Sequence, residues 1–245
     1  MKKPDKTKQK GSALIYILIA IALLAALTAT FMDSSSQQTS SQSAFNTVTD
    51  LNAQINLVRS TIQECVLTYP AGDDALVGTT NTPYPINPTS TYFNAAPCSC
   101  QSTTEGDKVA LLRCPGNPGN SNEHAQIFGG SSGKFMPPSP KLFANWEYYN
   151  GPSGVFFYTS TDKTDSFLKT ALNKLDDQFS ECEADVVDNM TGGALALTSD
   201  SGGPSCPANS LCFRVWMIAK SIAIYPGDTW DSPATQGDEA AASCP

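Results

Sequence analysis

The sequence predicts an α+β protein with a long N-terminal helix, an antiparallel sheet and a second helix, held together by disulfides. Residues 12–69 contain neither proline nor glycine, and the second half of this stretch shows helical spacing of apolar side chains. The strands predicted further along the chain occur as hairpins instead of alternating with helices, which favours an antiparallel sheet. Eight cysteines follow the apolar segment, and an even number in an oxidising compartment favours disulfides over a metal site.

The N-terminal segment has the order expected for membrane insertion. A lysine-rich leader, residues 1–11, precedes residues 12–32, which carry no charge. In a helix, these 21 residues span about 31 Å, close to the hydrocarbon thickness of a bilayer. No proline interrupts them, so the helix can satisfy its own backbone hydrogen bonds in lipid. Five lysines and one aspartate give the leader a net charge of +4, which predicts a cytoplasmic N-terminus and an exported head.

A single apolar stripe indicates that residues 33–69 continue this helix. Apolar side chains recur at steps of three or four residues between Ser, Thr, Gln and Asn. The predicted helix therefore runs to Pro70, about 58 residues or roughly 87 Å, with a weak Ser- and Gln-rich stretch at 33–43. A coiled-coil stalk is the alternative, but the stripe lacks flanking charge pairs. The stripe consists of Phe45, Val48, Leu51, Ile55, Val58, Ile62, Cys65 and Tyr69.

Two ordinary explanations of the apolar segment compete with a specialised one. A signal peptide cleaved after the apolar core needs small residues at the last and third-last positions before the cut, and a cut after Ala29 places Leu27 at the third-last position. A plain signal anchor on an unrelated periplasmic binding protein or enzyme is not excluded by the apolar run itself. The specialised explanation is a leader that is cut before the apolar core, so that the core stays as the anchor.

The residues that favour this explanation are Gly11, the run SALIYILIAIALLAALTA directly after it, and the amphipathic continuation. Together they resemble the N-terminal region of type IV pilins and type II secretion pseudopilins. The resemblance implies that a prepilin peptidase cuts between Gly11 and Ser12 and methylates the new amine. It divides the chain into a leader (1–11), a transmembrane half-helix (12–32), an amphipathic half-helix (33–69) and a periplasmic head (70–245), whose sheet packs against the amphipathic half.

Tyr16 is one departure from the pilin pattern. Most family members carry a glutamate at this position, and its carboxylate is thought to neutralise the N-terminal ammonium of a neighbouring subunit. Tyr16 cannot carry that charge at neutral pH, and an unpaired ammonium in an apolar filament core is costly. The resemblance therefore implies a minor subunit at a filament tip, as in the K-type minor pseudopilin. Its expected partners are other subunits, the peptidase and the bacterial inner membrane.

The head is predicted from short apolar runs separated by turns. Residues 108–114 read as a strand, and the runs 142–150 and 155–160 read as a hairpin around a Gly-Pro-Ser-Gly loop. The last strands are expected at 194–198 and 211–219, the latter extending to Tyr225. A second helix is expected over residues 164–188, because apolar residues recur on one face. That face consists of Phe167, Leu168, Ala171, Leu172, Leu175, Phe179, Cys182 and Val186.

The cysteines can be partly placed from the sequence. Cys65 lies on the apolar stripe and should face the head, and Cys182 lies on the apolar face of the second helix. Cys206 and Cys212 bracket a short loop that a disulfide between them could close, whereas the remaining pairing stays open. The disulfide candidates are Cys65, Cys98, Cys100, Cys114, Cys182, Cys206, Cys212 and Cys244.

The polar residues give no sign of catalysis, of a cofactor or of a metal. The chain after the leader carries a net charge of −12, which repels phosphate and argues against nucleic-acid binding. Residues 200–204 (DSGGP) match the sequence around a serine-protease nucleophile, but the only histidine, His124, lacks the matching motif and is expected to form a loop pair with Glu123. Asp73, Asp74 and the acidic tail at 228–239 lack a calcium-loop spacing, so solvated carboxylates are expected.

Overall fold

The computed structural model describes residues 12–76, 81–94, 98, 100–116, 121–180 and 183–219. Helix α1 spans Ser12–Thr68. The chain divides into two compact units between Ala44 and Phe45, and α1 contributes residues to both. No helix within the described residues combines the length and the apolar character needed to cross a membrane.

The apolar stripe of α1 is confirmed in its central part. Six members, from Val48 to Cys65, are buried in the second unit, and four of them are completely inaccessible. Phe45 was wrongly included, because its side chain is 70% exposed, whereas the neighbouring Ala44 is buried. Ala44 and Val48 are four residues apart and share a helix face, while Phe45 is rotated by about 100° from Ala44.

Two polar side chains share the buried face of α1, which the stripe did not anticipate. Gln54 donates from Nε2 to the carbonyl oxygen of Pro138 at 2.9 Å and accepts from the indole Nε1 of Trp146 at 2.7 Å. Thr61 donates to the carbonyl oxygen of Leu57 within the helix. Both of these buried side chains are therefore hydrogen-bonded, and Gln54 joins its part of α1 to Pro138 and Trp146.

The main sheet has four antiparallel strands and confirms the predicted α+β class. In chain order the strands are β1 (Glu147–Gly151), β2 (Gly154–Thr161), β3 (Ala184–Asn189), β4 (Leu195–Ala196), β5 (Ser205–Cys206) and β6 (Ser210–Ala219). The order in the main sheet is β1-β2-β6-β3, and β4 and β5 form a separate two-stranded sheet. The predicted hairpin is present as β1 and β2, and the described part of the predicted final strand is present as β6.

Gly154 permits the tight entry into β2. Its φ is +150°, and a Cβ atom added there would lie 2.2 Å from the carbonyl oxygen of Ile218 on β6. A side chain at this position would therefore push β2 away from β6, so the glycine reflects a close backbone approach.

The two faces of the main sheet pack against different elements. Phe157 and Phe213 lie on one face and contact the rings of Trp146 and Phe179, respectively. Trp146 and Phe179 in turn contact α1 through Gln54 and Arg59. The opposite face forms a core cluster with the region of β4 and β5. The buried residues of that cluster are Tyr149, Phe156, Tyr158, Val187, Leu197, Cys206, Cys212 and Trp216.

Helix α2 spans Ser166–Asp176, so the predicted helix over 164–188 was too long. Leu168, Ala171, Leu172 and Leu175 form its buried face as predicted. The later part of the predicted helix is instead β3, which pairs along its whole length with β6. The consecutive β-branched residues of β3 suit a sheet that is covered on both faces, and pairing with the central strand outweighs the helical spacing.

The predicted strand over 108–114 is also wrong. Its centre is a 3₁₀ turn, Val109–Leu111, and only single bridges join Lys108 to Glu147 and Arg113 to Gln126. Val109 and Leu112 are both completely buried. Residues three apart point the same way in a helical turn but to opposite sides in a strand, so the turn buries both side chains at once.

Candidate functional site

The first unit presents an exposed apolar surface on α1. Eight large side chains between Ile15 and Leu24 are each 50–69% exposed, and no charged residue lies among them. Contiguous apolar surface of this kind marks a site of contact with membrane or protein. Tyr16 belongs to this surface and is 69% exposed. Ser12 is the first residue of α1, whereas Gly11 lies outside the described residues.

Within the described residues, three disulfides join six of the eight candidate cysteines. Cys65 pairs with Cys114, Cys98 with Cys100, and Cys206 with Cys212, with Cα–Cα distances of 5.4, 5.2 and 5.9 Å. The Cys206–Cys212 bond closes the short loop between these two residues, and Cys65 is buried. The other two candidates, Cys182 and Cys244, lie outside the described residues.

A buried polar cluster forms around Asp73. His124 Nε2 lies 2.8 Å from Asp73 Oδ2, and the hydroxyl of Tyr92 donates to the same oxygen. The backbone N–H of Ala75 donates to Asp73 Oδ1 at 2.9 Å. Both Asp73 and His124 are completely buried, so the expected solvated carboxylate at 73 and the expected loop pair of His124 with Glu123 were wrong. The cluster ties the segment after α1 to the segment around residue 124.

Burial determines the protonation of this cluster. Desolvation lowers the pKa of His124, and it outweighs the opposing effect of Asp73. Desolvation and the hydrogen bond to Asp73 raise the pKa of Tyr92. At neutral pH the imidazole is therefore neutral and donates from Nε2 to the carboxylate, while its Nδ1 has no hydrogen-bond partner among the described residues. With no exposed surface, the imidazole is a structural group rather than a candidate base.

The protease-like segment at 200–204 is hydrogen-bonded to the β1–β2 turn through Asp200. Asp200 Oδ2 accepts hydrogen bonds from the hydroxyl of Tyr149 at 2.8 Å, from the backbone N–H of Ser153 at 3.0 Å and from Ser153 Oγ at 2.7 Å. Burial by itself would raise the pKa of Asp200, but these hydrogen bonds outweigh it and lower the pKa. Ser201 is exposed, and His124 is engaged with Asp73, so the described residues do not form the triad that the protease chemistry needs.

A buried ion pair lies on the face of the sheet that carries the core cluster. Arg214 donates from Nε and Nη2 to Asp185 Oδ2 at 3.0 and 2.9 Å, and from Nη1 to the carbonyl oxygen of Leu197. Its guanidinium also lies 4.8 Å from the ring centroid of Trp216 and 5.6 Å from that of Phe156. Asp185 Oδ1 has no hydrogen-bond partner within the described residues. The pair was not predicted, although an arginine inside an apolar strand is itself a signal that an acidic partner is needed.

No group of three or more His, Cys, Asp or Glu side chains in the described part of the chain is arranged to hold a metal ion. Comparison of the chain with models of protein families, with curated proteins and with solved structures finds no match. The function must therefore be argued from the residues and the geometry above.

Proposed function

We propose that this chain is a minor pilin or pseudopilin, a subunit that assembles into a type IV pilus or a secretion pseudopilus. The observation that carries the proposal is the difference in burial between the two parts of α1. Its N-terminal part exposes apolar side chains without charges, whereas its C-terminal part buries an apolar stripe in a disulfide-bonded head. A helix of this kind can rest in the inner membrane before assembly and pack against other subunit helices afterwards.

The proposed work of the chain is assembly rather than catalysis. The polar clusters of the head support this, because Asp73, Asp185 and Asp200 are all engaged in hydrogen bonds that fix the fold. Tyr16 supports a place at the filament tip, since a subunit without the usual carboxylate need not pair with the ammonium of a neighbour. The head would then lie on the periplasmic side and cap the filament or begin its assembly.

The N-terminus of the mature protein tests the proposal. Mass spectrometry should find Ser12 as the first residue, with an N-methyl group, in cells that contain prepilin peptidase and not in cells that lack it. Gly11→Phe should block this processing, whereas the matched change Gln9→Phe should leave it intact. Recovery of intact Met1 from peptidase-containing cells would contradict the proposal and favour a plain membrane-anchored periplasmic binding protein or enzyme.

The place at the tip is tested separately. Antibodies against the head, detected with gold particles on filaments, should label filament ends. Labelling along the whole filament would contradict the tip position while leaving the assembly proposal in place.

A further inference from the structure

An open cleft lies beside the Cys65–Cys114 disulfide. The cleft has a volume of about 220 Å³ and lies between the last turn of α1 and residues 125–134. Both cysteines line it, together with Thr68 and the oppositely charged pair Glu64 and Lys134. The disulfide therefore lies at the wall of an open cleft that is large enough for a small organic thiol.

Two of the three described disulfides, Cys65–Cys114 and Cys206–Cys212, differ in how far a reductant can reach them. Cys206 and Cys212 are completely buried in the core cluster of the sheet, so a reagent reaches them only when the fold opens. Cys114 is half-buried and lines the cleft, while its partner Cys65 is buried at the end of α1. Thiol–disulfide exchange depends on access to one sulfur. Of the two cysteines that line the cleft, Cys114 is the less buried, which makes it the point of attack.

Charges at the cleft also affect the reaction. The attacking species in exchange is a thiolate, and a nearby cation stabilises it. The ammonium of Lys134 forms an ion pair with the carboxylate of Glu64, and both groups line the cleft. Lys134 favours the approach of a thiolate and Glu64 opposes it, so the two charges should shift the exchange rate in opposite directions.

We propose that this cleft is a thiol–disulfide exchange site, which accepts the thiolate of a dithiol reductant or of a dithiol oxidoreductase. The incoming thiolate forms a bond to Cys114 Sγ, the Cys65–Cys114 bond breaks, and its electron pair leaves with Cys65 Sγ, which then takes up a proton. The second thiolate of the reagent then attacks the reagent's first sulfur, which is bonded to Cys114 Sγ in the mixed disulfide, and Cys114 leaves as a thiolate. The reagent ends as a disulfide, and two electrons have passed to the protein.

Exchange at this site changes how α1 is joined to the head. Cys65 lies in the last turn of α1, and Cys114 lies 49 residues further along the chain. Cys114 also donates its backbone N–H to the carbonyl oxygen of Ala125 at 2.8 Å, directly after His124. Reduction removes the covalent bond and leaves hydrogen bonds and packing to hold the end of α1 against the segment that bears the buried Asp73–His124 contact.

Partial reduction of the full chain in detergent micelles tests the proposal. The protein is treated with limiting dithiothreitol, free thiols are trapped with iodoacetamide at intervals, and the labelled cysteines are identified by mass spectrometry. Cys65 and Cys114 should be labelled at least about tenfold faster than Cys206 and Cys212, because the latter require opening of the fold. Equal rates for the two pairs would overturn the proposal. So would a rate at Cys114 that rises with urea below the unfolding transition, since direct attack needs no opening.

Variants on the surface of α1 make the test specific to the cleft. Thr68→Trp fills the cleft and should slow reduction several-fold, whereas Gln63→Trp, on an exposed part of the same helix that does not line the cleft, should not. Lys134→Gln should slow the reaction by about threefold at low salt and Glu64→Gln should speed it by a similar factor. Identical rates in the two tryptophan variants, or a shift in the same direction in the two charge variants, would refute attack through the cleft.

Discussion

Replacing Asp185 with alanine should strongly destabilise the head, because it leaves a buried arginine without its counter-charge. Arg214 is 2% exposed and Asp185 is 5% exposed, and two guanidinium nitrogens donate to a single carboxylate oxygen. The carboxylate also accepts from the indole of Trp216 at 3.3 Å. Removing one partner of a buried pair costs about 3–5 kcal/mol, because the remaining charge cannot regain its hydration.

The matched control lies on the same strand. Asp188 also forms an ion pair, with Lys169 at 2.7 Å, but the side chain of Lys169 is 49% exposed and that of Asp188 is 20% exposed. A pair open to water contributes about 0–1 kcal/mol. Asp188→Ala also removes an acceptor from the backbone N–H of Met190, so it should cost about 1 kcal/mol, well below the cost of Asp185→Ala.

Urea unfolding of the full chain in detergent, followed by tryptophan fluorescence, measures both variants. The double variant Asp185→Leu/Arg214→Met removes both charges and should recover much of the loss, since apolar replacement of a whole buried pair is often close to neutral. The reasoning is refuted if Asp185→Ala and Asp188→Ala lose the same free energy, or if the double variant is no more stable than Asp185→Ala.

Three further outcomes are expected from the same unfolding assay. Burial lowers the pKa of His124 below its ordinary value of 6.5, so the folded state disfavours the protonated imidazole. The free energy of unfolding should therefore be highest above about pH 6.5 and should fall as the pH is lowered below that value. His124→Gln should flatten this fall, and an unchanged pH profile would contradict the reasoning. Asp200→Ala should lower the free energy of unfolding by about 1–3 kcal/mol, because it leaves the donors to Asp200 unpaired. Ser201→Ala, at an exposed position, should cause no measurable change. Ile55→Ala should lower the free energy of unfolding by about 2–5 kcal/mol, because Ile55 is completely buried. Phe45→Ala should have a much smaller effect, and a comparable loss would refute the assignment of Phe45 to the exposed face.

Local patterns predicted the parts of the fold that local physics determines. The stripe around Ile55 follows from helical periodicity, and the β1–β2 hairpin follows from a glycine- and proline-containing turn between two aromatic runs. The helix over 164–188 failed because apolar residues continue at helical spacing through Val186 while that residue pairs with Phe213 on the neighbouring strand. Strand pairing is a long-range contact, and the sequence of residues 164–188 alone does not indicate that β6 will pair with β3.

The polar clusters were harder to predict for the same reason. Asp73 and His124 are 51 residues apart, and neither lies in a recognisable motif, so only the folded chain brings them together. Arg214 is different, because it interrupts the apolar run of β6 and its burial could have been anticipated together with the need for an acidic partner. The identity of that partner, Asp185, depends on the β3–β6 register, which the sequence does not specify on its own.

The two parts of α1 differ in how much of their apolar surface is removed from water, and this difference supports the proposal of an assembling subunit. Ile55 and its neighbours on the stripe are already removed from water by the head. The eight large side chains between Ile15 and Leu24 are not, since each keeps at least half of its surface exposed. Burying an apolar side chain of this size is worth about 1.5–3 kcal/mol, so covering the whole segment would contribute on the order of 10 kcal/mol. On the proposed function, a bilayer would supply that cover before assembly and neighbouring helices would supply it afterwards, so the stabilisation would be retained throughout.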